Sequence, residues 1–322
     1  MVNRPLRIAS RGSELALWQS RAVEQAIRTA DSAVEVEVHV IRTTGDRILD
    51  VPLARIGDRG LFTKEIDEAI LAGEADLAVH SLKDVPTRLP DGLVLAAISQ
   101  RADPRDVLIC RLGIPPSLDA LPAGARVGTS SLRRRSQLLA RRPDLNVDDL
   151  RGNLNTRLAK LDAGEYDAIL LAAAGVLRLG WEERISEYLD PSGWLPAVGQ
   201  GALAIVTRTD AAEIRDYLYA LHDESTAACV RAERAFLRAV EGGCQIPVGA
   251  LALHDGERLT IEAVIASLDG TTMLRGQESG PVGKPEEIGR ALATQLLRRG
   301  GDRVLREVRD SAEPIVPPLV GP

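Results

Sequence analysis

The chain has 322 residues, of which 45% are hydrophobic and 27% charged, which suits two or three domains with sizeable cores. A formal net charge of −6 and only 3% aromatic residues argue against a nucleic-acid surface and against base-stacking platforms. No stretch approaches the ~20 apolar residues of a membrane span. Residues 1–8 lack an apolar core of signal-peptide length. The three cysteines, Cys110, Cys229 and Cys244, are widely spaced and describe neither a disulfide framework nor a zinc site, so a reducing cytoplasm is expected.

In chain order, residues 6–9 predict a strand and 14–29 an amphipathic helix, with Leu15, Trp18, Ala22 and Ala26 on one face and Ser13 as N-cap. The alternation over 34–41 predicts a second strand, followed by a polar loop at 43–47. A loop at 57–60 and a helix over 61–71 lead into the segment from Asp76 to Pro86. There Leu77, Ala78 and Val79 read as a strand buried on both faces. The character then switches to His80, Ser81, Lys83 and Asp84 before Pro86 stops the run. Ligands of open α/β sheets bind beyond the carboxyl ends of strands, which makes these polar groups site candidates. A Lys83/Asp84 surface pair is the alternative.

Residues 103–106 read as a crossing point, after which the pattern restarts with a strand at 125–128, the turn Thr129-Ser130-Ser131 and a helix to Arg141. An internal echo accompanies the restart. Ala72-Gly73-Glu74-Ala75-Asp76 returns as Ala163-Gly164-Glu165-Tyr166-Asp167, each copy after a helix that opens on an Arg-Gly pair. Two related lobes with a cleft follow from this, and Pro196-Ala197-Val198-Gly199-Gln200-Gly201 reads as a second crossing that completes a hinge. The rest differs in pattern: a helix at 225–240, strands at 249–253, 259–266 and 271–276, a helix at 285–298 and a Pro-rich tail from 312 expected to be disordered. That order suggests a small α+β domain with an antiparallel sheet.

Arginines gather where strands end: Arg11 after the first, Arg133, Arg134 and Arg135 in the first turn of the second-lobe helix, and Arg151, Arg157 and Arg178 around the echo. Guanidinium forks match carboxylates and phosphates, and helix N-termini add N–H donors. Cations there oppose the macrodipole at ~0.3–1 kcal/mol each. They therefore call for an anionic ligand, the alternatives being a solvated helix face or a nucleic-acid patch. Cys244, after Gly242-Gly243, is either a small buried hydrophobe or a reactive or covalently modified thiol with room beside it.

Five separated stretches carry a resemblance: His80-Ser81-Leu82-Lys83-Asp84-Val85-Pro86, Val127-Gly128-Thr129-Ser130-Ser131-Leu132-Arg133-Arg134, Leu150-Arg151-Gly152-Asn153, Leu195-Pro196-Ala197-Val198-Gly199-Gln200-Gly201 and Glu241-Gly242-Gly243-Cys244-Gln245. With these in order, residues 6–308 resemble the porphobilinogen deaminase, or hydroxymethylbilane synthase, family. The resemblance implies an α/β fold of two periplasmic-binding-protein-like (type II) lobes plus the small C-terminal α+β domain. The division expected is 1–102 with 201–220, then 103–200, then 221–322.

It further implies a transferase of tetrapyrrole and heme biosynthesis that condenses four porphobilinogen molecules head to tail, releases ammonia at each step, and hydrolyses the chain to hydroxymethylbilane. The primer implied is a dipyrromethane cofactor joined to Cys244 by a thioether. Its carboxylates would meet Ser81, Lys83, Thr129, Ser131, Arg133, Arg134 and Arg157, with Asp84 at the pyrrole nitrogens. Incoming substrate would meet Arg11, Ser13, Arg151, Arg157, Arg178 and Gln200. Asp84 and Lys83 are the implied catalytic residues, no metal is implied, and a monomer without nucleic-acid or membrane partners is expected. Arg59 stands where relatives often carry lysine, which keeps the charge and changes its geometry. The rival reading, a two-lobed binding module for an organic anion, gives Cys244 no role and no reason for Asp84 among so many cations.

Overall fold

The computed structural model describes residues 4–47, 63–240 and 246–311. Within them, three sheets each gather their own core. The first holds strands β1 (Leu6–Ser10), β2 (Val36–Val40), β3 (Leu77–Ser81), β4 (Leu93–Ile98) and β10 (Leu203–Arg208) in the order β2-β1-β3-β10-β4. Strands β1, β2 and β3 run parallel, and β10 lies antiparallel between β3 and β4. Helix α1 (Glu14–Ala30) sets Val23 and Ile27 against Leu6, Ile8, Leu77 and Val79 on one face. After a short helix α2 (Thr44–Arg47), helix α3 (Lys64–Leu71) sets Ile66 and Ile70 against Ala9 and Ala78 on the other. Burial on both faces explains why β3 reads as an uninterrupted apolar run.

The second sheet holds β5 (Asp106–Cys110), β6 (Arg126–Gly128), β7 (Asn146–Asp148), β8 (Ala168–Ala172) and β9 (Glu187–Leu189) in the order β7-β6-β8-β5-β9. Its helices are α4 (Leu132–Arg141), α5 (Leu154–Asp162) and α6 (Ala173–Arg178). The plan repeats the first sheet: three parallel strands, then one antiparallel strand delivered by a crossing from the other lobe. The echo has a shared job. Asp76 accepts the Arg7 amide at the start of β1 at 2.9 Å, and Asp167 accepts the Arg126 amide at the start of β6 at 2.9 Å.

Two crossings, 99–105 and 190–202, join the lobes. At Gly201 φ is +97°, and a Cβ would lie 2.4 Å from the Ala102 carbonyl oxygen, so only glycine lets the crossings lie this close. Helix α7 (Ala212–Tyr219) returns to the first lobe, and α8 (Glu224–Ala239) opens the third unit with Asp223 as N-cap. Strands β11 (Val248–His254), β12 (Arg258–Ala266) and β13 (Met273–Pro281) form its antiparallel sheet. Phe236 of α8 and Leu292 and Leu296 of helix α9 (Pro285–Leu296) pack on Ile261 and Ile265. Buried Glu233 of α8 ties this unit to both crossings: it accepts from Arg101 Nη1 at 2.5 Å, the Gly199 amide at 2.7 Å and the Ala252 amide at 2.9 Å.

Several elements differ from expectation. Residues 44–47 form a helical turn rather than a loop, anchored by Glu65, which accepts from the Thr44 amide at 2.8 Å and from its hydroxyl. The strand expected at 271–276 runs on to Pro281 because all of Arg258–Ala266 finds a partner in it. A last helix, α10 (Asp302–Ser311), follows a kink at Gly300 and buries Val304, Leu305 and Val308 at helical spacing. Arg59 with its 57–60 loop, Cys244 and the 312–322 tail lie outside the described residues.

Candidate functional site

The site starts at the carboxyl end of β3. Ser81 Oγ accepts from Gln19 Nε2 of α1 at 2.9 Å, and a 3-10 turn over Leu82–Asp84 buries Leu82 between two polar neighbours. Two arginines of α8 grip the backbone just beyond. Arg234 donates to the Val85 and Pro86 carbonyls at 3.0 and 2.7 Å, and Arg238 to that of Thr87 at 2.8 Å. Asp84 is therefore a surface-directed carboxylate on a clamped backbone.

It faces a cavity of about 560 Å³ between the lobes. From the first lobe Arg11, Ser13, Ser81, Lys83 and Asp84 line it, and from the second Arg134, Arg151, Arg157 and Arg178, with Gln200 from the crossing. Arg42, just past β2, lines it too and was not among the residues singled out above; its place after a strand end is the signal that marks Arg11. Among the described lining residues, seven are cationic and Asp84 is the one acid. Sequence-distant cations converge here because strand ends and helices of both lobes open onto one cleft.

The field shows in the ionisation of its members. Burial pushes the Lys83 ammonium down to about 8, against the pull of Asp84. Burial, with Arg134 close by, brings Arg157 down to about 10, and burial alone brings Arg178 to about 10. Burial likewise lowers Arg151. Arg157 Nε donates to the Gly152 carbonyl at 2.8 Å, and Arg178 Nη2 to that of Gly201 at 2.8 Å. Buried His80, on β3, is held near 4 by burial and by Arg11, so it is neutral.

Lys83 titrates where it can be watched. Below pH 8 it is charged in both folded and unfolded chains, and its burial is a constant cost. Above 8 the folded chain releases the proton first and binds fewer protons than the unfolded one. The Lys83 contribution to stability therefore rises with pH until the unfolded value, about 10.4, is passed. Cavity charge falls over the same range. A carboxylate-bearing ligand should bind progressively less well as pH climbs through 8, and Lys83→Met should remove that limb in a pH series of binding isotherms. A limb unchanged in the variant would assign it to another group.

Three predicted residues lie off the cavity wall. Thr129 is buried and accepts the Ser131 amide at 3.2 Å; Ser131 caps α4 by accepting the Arg134 amide at 3.4 Å. Arg133 and Arg134 both reach Asp106, which is fully buried at the start of β5. Arg133 Nη1 donates to Asp106 Oδ2 at 2.6 Å and Arg134 Nη2 to Oδ1 at 2.7 Å. Trp194 Nε1 and Gln200 Nε2 complete the shell at 2.8 and 2.9 Å. Burial alone would raise the Asp106 pKa, but the two guanidiniums hold it far below the usual carboxylate range. Gln200 Oε1 in turn accepts from Lys83 Nζ at 3.3 Å, so the buried cluster reaches across the hinge to the catalytic candidate.

This corrects one expectation. The helix-end position suggests that losing Arg133 leaves the fold unchanged or slightly better. In fact its partner is an internal carboxylate, and losing a charge-assisted hydrogen bond to it costs about 1.5–3 kcal/mol even with Arg134 left to compensate the charge. Arg133→Leu should therefore lower the thermal unfolding midpoint clearly, and calorimetry of the variant showing an unmoved midpoint would refute the structural role.

Known proteins resemble this chain over nearly its whole length. Residues 6–216 match the family described as porphobilinogen deaminase, dipyromethane cofactor binding domain, and residues 227–298 match the porphobilinogen deaminase C-terminal domain. A porphobilinogen deaminase of Syntrophobacter fumaroxidans is 51% identical, covering 96% of this chain and 99% of its own. One from Desulforudis audaxviator is 53% identical, covering 97% and 100%. Among solved structures, the periplasmic VFT2 domain of Bordetella pertussis BvgS aligns at 17% identity and TM-score 0.42, over 67% of this chain and 86% of that one. Two matched domain families and near-full-length relatives of this identity establish that the chain belongs to the porphobilinogen deaminase family.

Proposed function

We propose that this chain catalyses the stepwise head-to-tail condensation of four porphobilinogen molecules, with loss of ammonia, to hydroxymethylbilane. Its family supports that activity, and the inter-lobe cavity, whose described lining holds seven cations and a single carboxylate, carries the reading. Each pyrrole bears an acetate and a propionate, so a two-ring primer and four substrates bring twelve carboxylates. A chain of net charge −6 can hold them only in a locally cationic cleft.

The donors fit a dipyrromethane cofactor. Arg134 Nε is buried with no hydrogen-bond partner among the described residues, beside a cavity whose cations exceed its acids. Ser81, Lys83, Arg134 and Arg157 would hold its carboxylates, with Thr129 and Ser131 shaping the helix end that presents Arg134, and Arg133 fixing Asp106 behind it. When bound, dipyrromethane supplies the nucleophilic pyrrole carbon that primes the chain. Cys244 is the proposed attachment point; the helix leading toward it, α8, is the one clamped to Val85, Pro86 and Thr87.

Arg11, Ser13, Arg151, Arg157 and Arg178 would orient the incoming ring, with Gln200 steadying Lys83. Loss of ammonia leaves the substrate methylene electron-poor, and positive charge spreads to its ring nitrogen. Asp84, lone acid of the described lining, would stabilise that charge and accept the proton released when the new bond forms. Lys83, close to half-protonated near pH 8, is suited to hand a proton to the departing amine.

Residues 1–102 with 201–220, 103–200 and 221–322 are taken as the three domains, acting as a cytoplasmic monomer. The direct test is to incubate the purified chain with porphobilinogen, follow ammonia and hydroxymethylbilane, and weigh the intact protein. Ammonia release with a pyrrole-sized mass on the protein is expected; a bare mass and no ammonia would return the chain to the binding-module reading.

A further inference from the structure

The third unit leans on the second lobe through a glycine. In the turn between β12 and β13, Gly270 is buried at φ +74° against helix α4. A Cβ there would lie 2.4 Å from the Ala140 amide nitrogen and 2.5 Å from the Ser136 carbonyl oxygen. Ordinary contact begins near 3.4 Å, so backbone meets backbone as closely as the two chains allow. Ser136 and Ala140 follow Arg133 by three and seven residues, which puts all three on one face of α4. Strands β11 and β12 add a second support. Leu251 and Val264 pack on Leu195, and the Ala250 amide donates to the Pro196 carbonyl at 3.0 Å. The Leu195 carbonyl in turn accepts from Arg133 Nη1 and Gln137 Nε2 of α4, at 2.7 and 3.0 Å.

The tip of the turn holds its shape by its own hydrogen bonds. Asp269 accepts from the Ser267 hydroxyl at 2.5 Å, the Thr271 hydroxyl at 2.9 Å and the Thr271 amide at 3.1 Å. The Gly270 amide donates to the Ser267 carbonyl at 3.1 Å, and the Thr272 amide to the Ser267 hydroxyl at 3.0 Å. The turn at the other end of β12 offers the contrast. Gly256 has φ +108° there, with nothing within 4 Å of its Cβ position.

We propose that the β12–β13 turn is a strut that sets the position of α4, and through it the Arg134 guanidinium in the cavity. Gly270 is then a positioning residue. This inference rests on the functional reading above, in which Arg134 holds a carboxylate of the primer and Cys244 of the third unit carries it. One unit thus both attaches the primer and fixes a cation that aligns it. A methyl group at 270 must drive the two backbones apart by about 1 Å, from 2.4 toward 3.4 Å. Helix α4 is one hydrogen-bonded rod of ten residues, so the shift reaches its first turn. A misplacement of that size far from the chemistry can cost ~10²-fold in rate.

The experiment compares Gly270→Ala with Gly256→Ala in the cofactor-loaded chain. Both place a methyl group at positive φ, so both should lower the thermal unfolding midpoint, and only the first presses on α4. Below both midpoints, Gly270→Ala should reduce kcat for porphobilinogen by roughly 10- to 100-fold with KM near the wild-type value. Gly256→Ala should turn over normally. In an Arg134→Lys background, Gly270→Ala should add little further loss, because the group it misplaces is already changed. Trp194, which donates to Asp106 beside Arg133 and Arg134, gives a readout without turnover. With Trp18→Phe and Trp181→Phe in place, its emission should shift in Gly270→Ala and stay put in Gly256→Ala. Matching kcat values in the two glycine variants, or a full-sized Gly270→Ala loss in the Arg134→Lys background, would overturn the strut. An unmoved Trp194 emission would do the same. Should Gly270→Ala not fold, Asp269→Ala, which frees the tip without adding bulk, is read against the same signals. A parent chain that adds no pyrrole rings fails the functional reading instead, and the Trp194 emission still decides the strut.

Discussion

Cys244→Ala is expected to give a folded protein that carries no pyrrole mass and turns over no porphobilinogen. Folding should survive because the neighbouring chain is anchored without it: Val240 is buried in the third-unit core, and Ile246 packs against it. Neither remaining cysteine can take over. Cys229 is buried in that core, and burial together with Glu233 pushes its thiol up to about 11. Cys110 ends β5, at the opposite end of the strand from Asp106, and burial raises its thiol too. A thiol that stays protonated is a poor nucleophile. Peptide mapping of the wild-type chain should put the added mass on Cys244 alone; finding it on Cys110 or Cys229, or still present in the variant, would displace the assignment.

Asp84→Asn is expected to lower turnover by at least ~10²-fold while ligand binding holds or improves. The substitution keeps the volume and removes the one acidic charge of the described lining, so two contributions to the chemistry go together: stabilisation of positive charge on the substrate ring and acceptance of its proton. Binding should move the other way. With seven cations in the described wall, losing the carboxylate makes the cavity more positive toward ligands that are themselves polyanions. The kinetic signature is a fall in kcat with KM unchanged or lower, the pattern of an interaction realised in the transition state. A rise in KM at constant kcat would make Asp84 a binding residue and move the chemistry elsewhere. Salt should weaken substrate binding in both forms, since part of the attraction is a screened field.

Arg133 and Arg134 show why residue type and position in a helix are insufficient to assign a partner. Both read as anion-seeking, and both do bind a carboxylate. It belongs to Asp106, twenty-seven and twenty-eight residues earlier in the chain. Two guanidiniums share that single carboxylate, so the cluster keeps a net positive charge, and only Arg134 of the pair reaches the cavity wall. Both thus serve the scaffold through Asp106, and Arg134 in addition lines the cavity, a distinction of roughly 100° around one helix axis.

Much of this protein is determined by short-range sequence. The apolar run before His80 makes a doubly buried strand, Ser13 caps its helix, and the repeated Gly-Glu-x-Asp connection builds two lobes on one plan, because each depends on backbone geometry and on burial within a few residues. The motifs around Asp84, Ser131, Arg151, Gln200 and Cys244 likewise carry the family. Tertiary structure alone decided which cations share a cavity, that Arg42 joins them, and that Asp106 rather than a ligand holds Arg133. It also decided that α8 clamps the backbone behind Asp84. These are contacts between strands and helices far apart in the chain, whose register and approach are set by the packing of whole lobes, and no local pattern of residues encodes them.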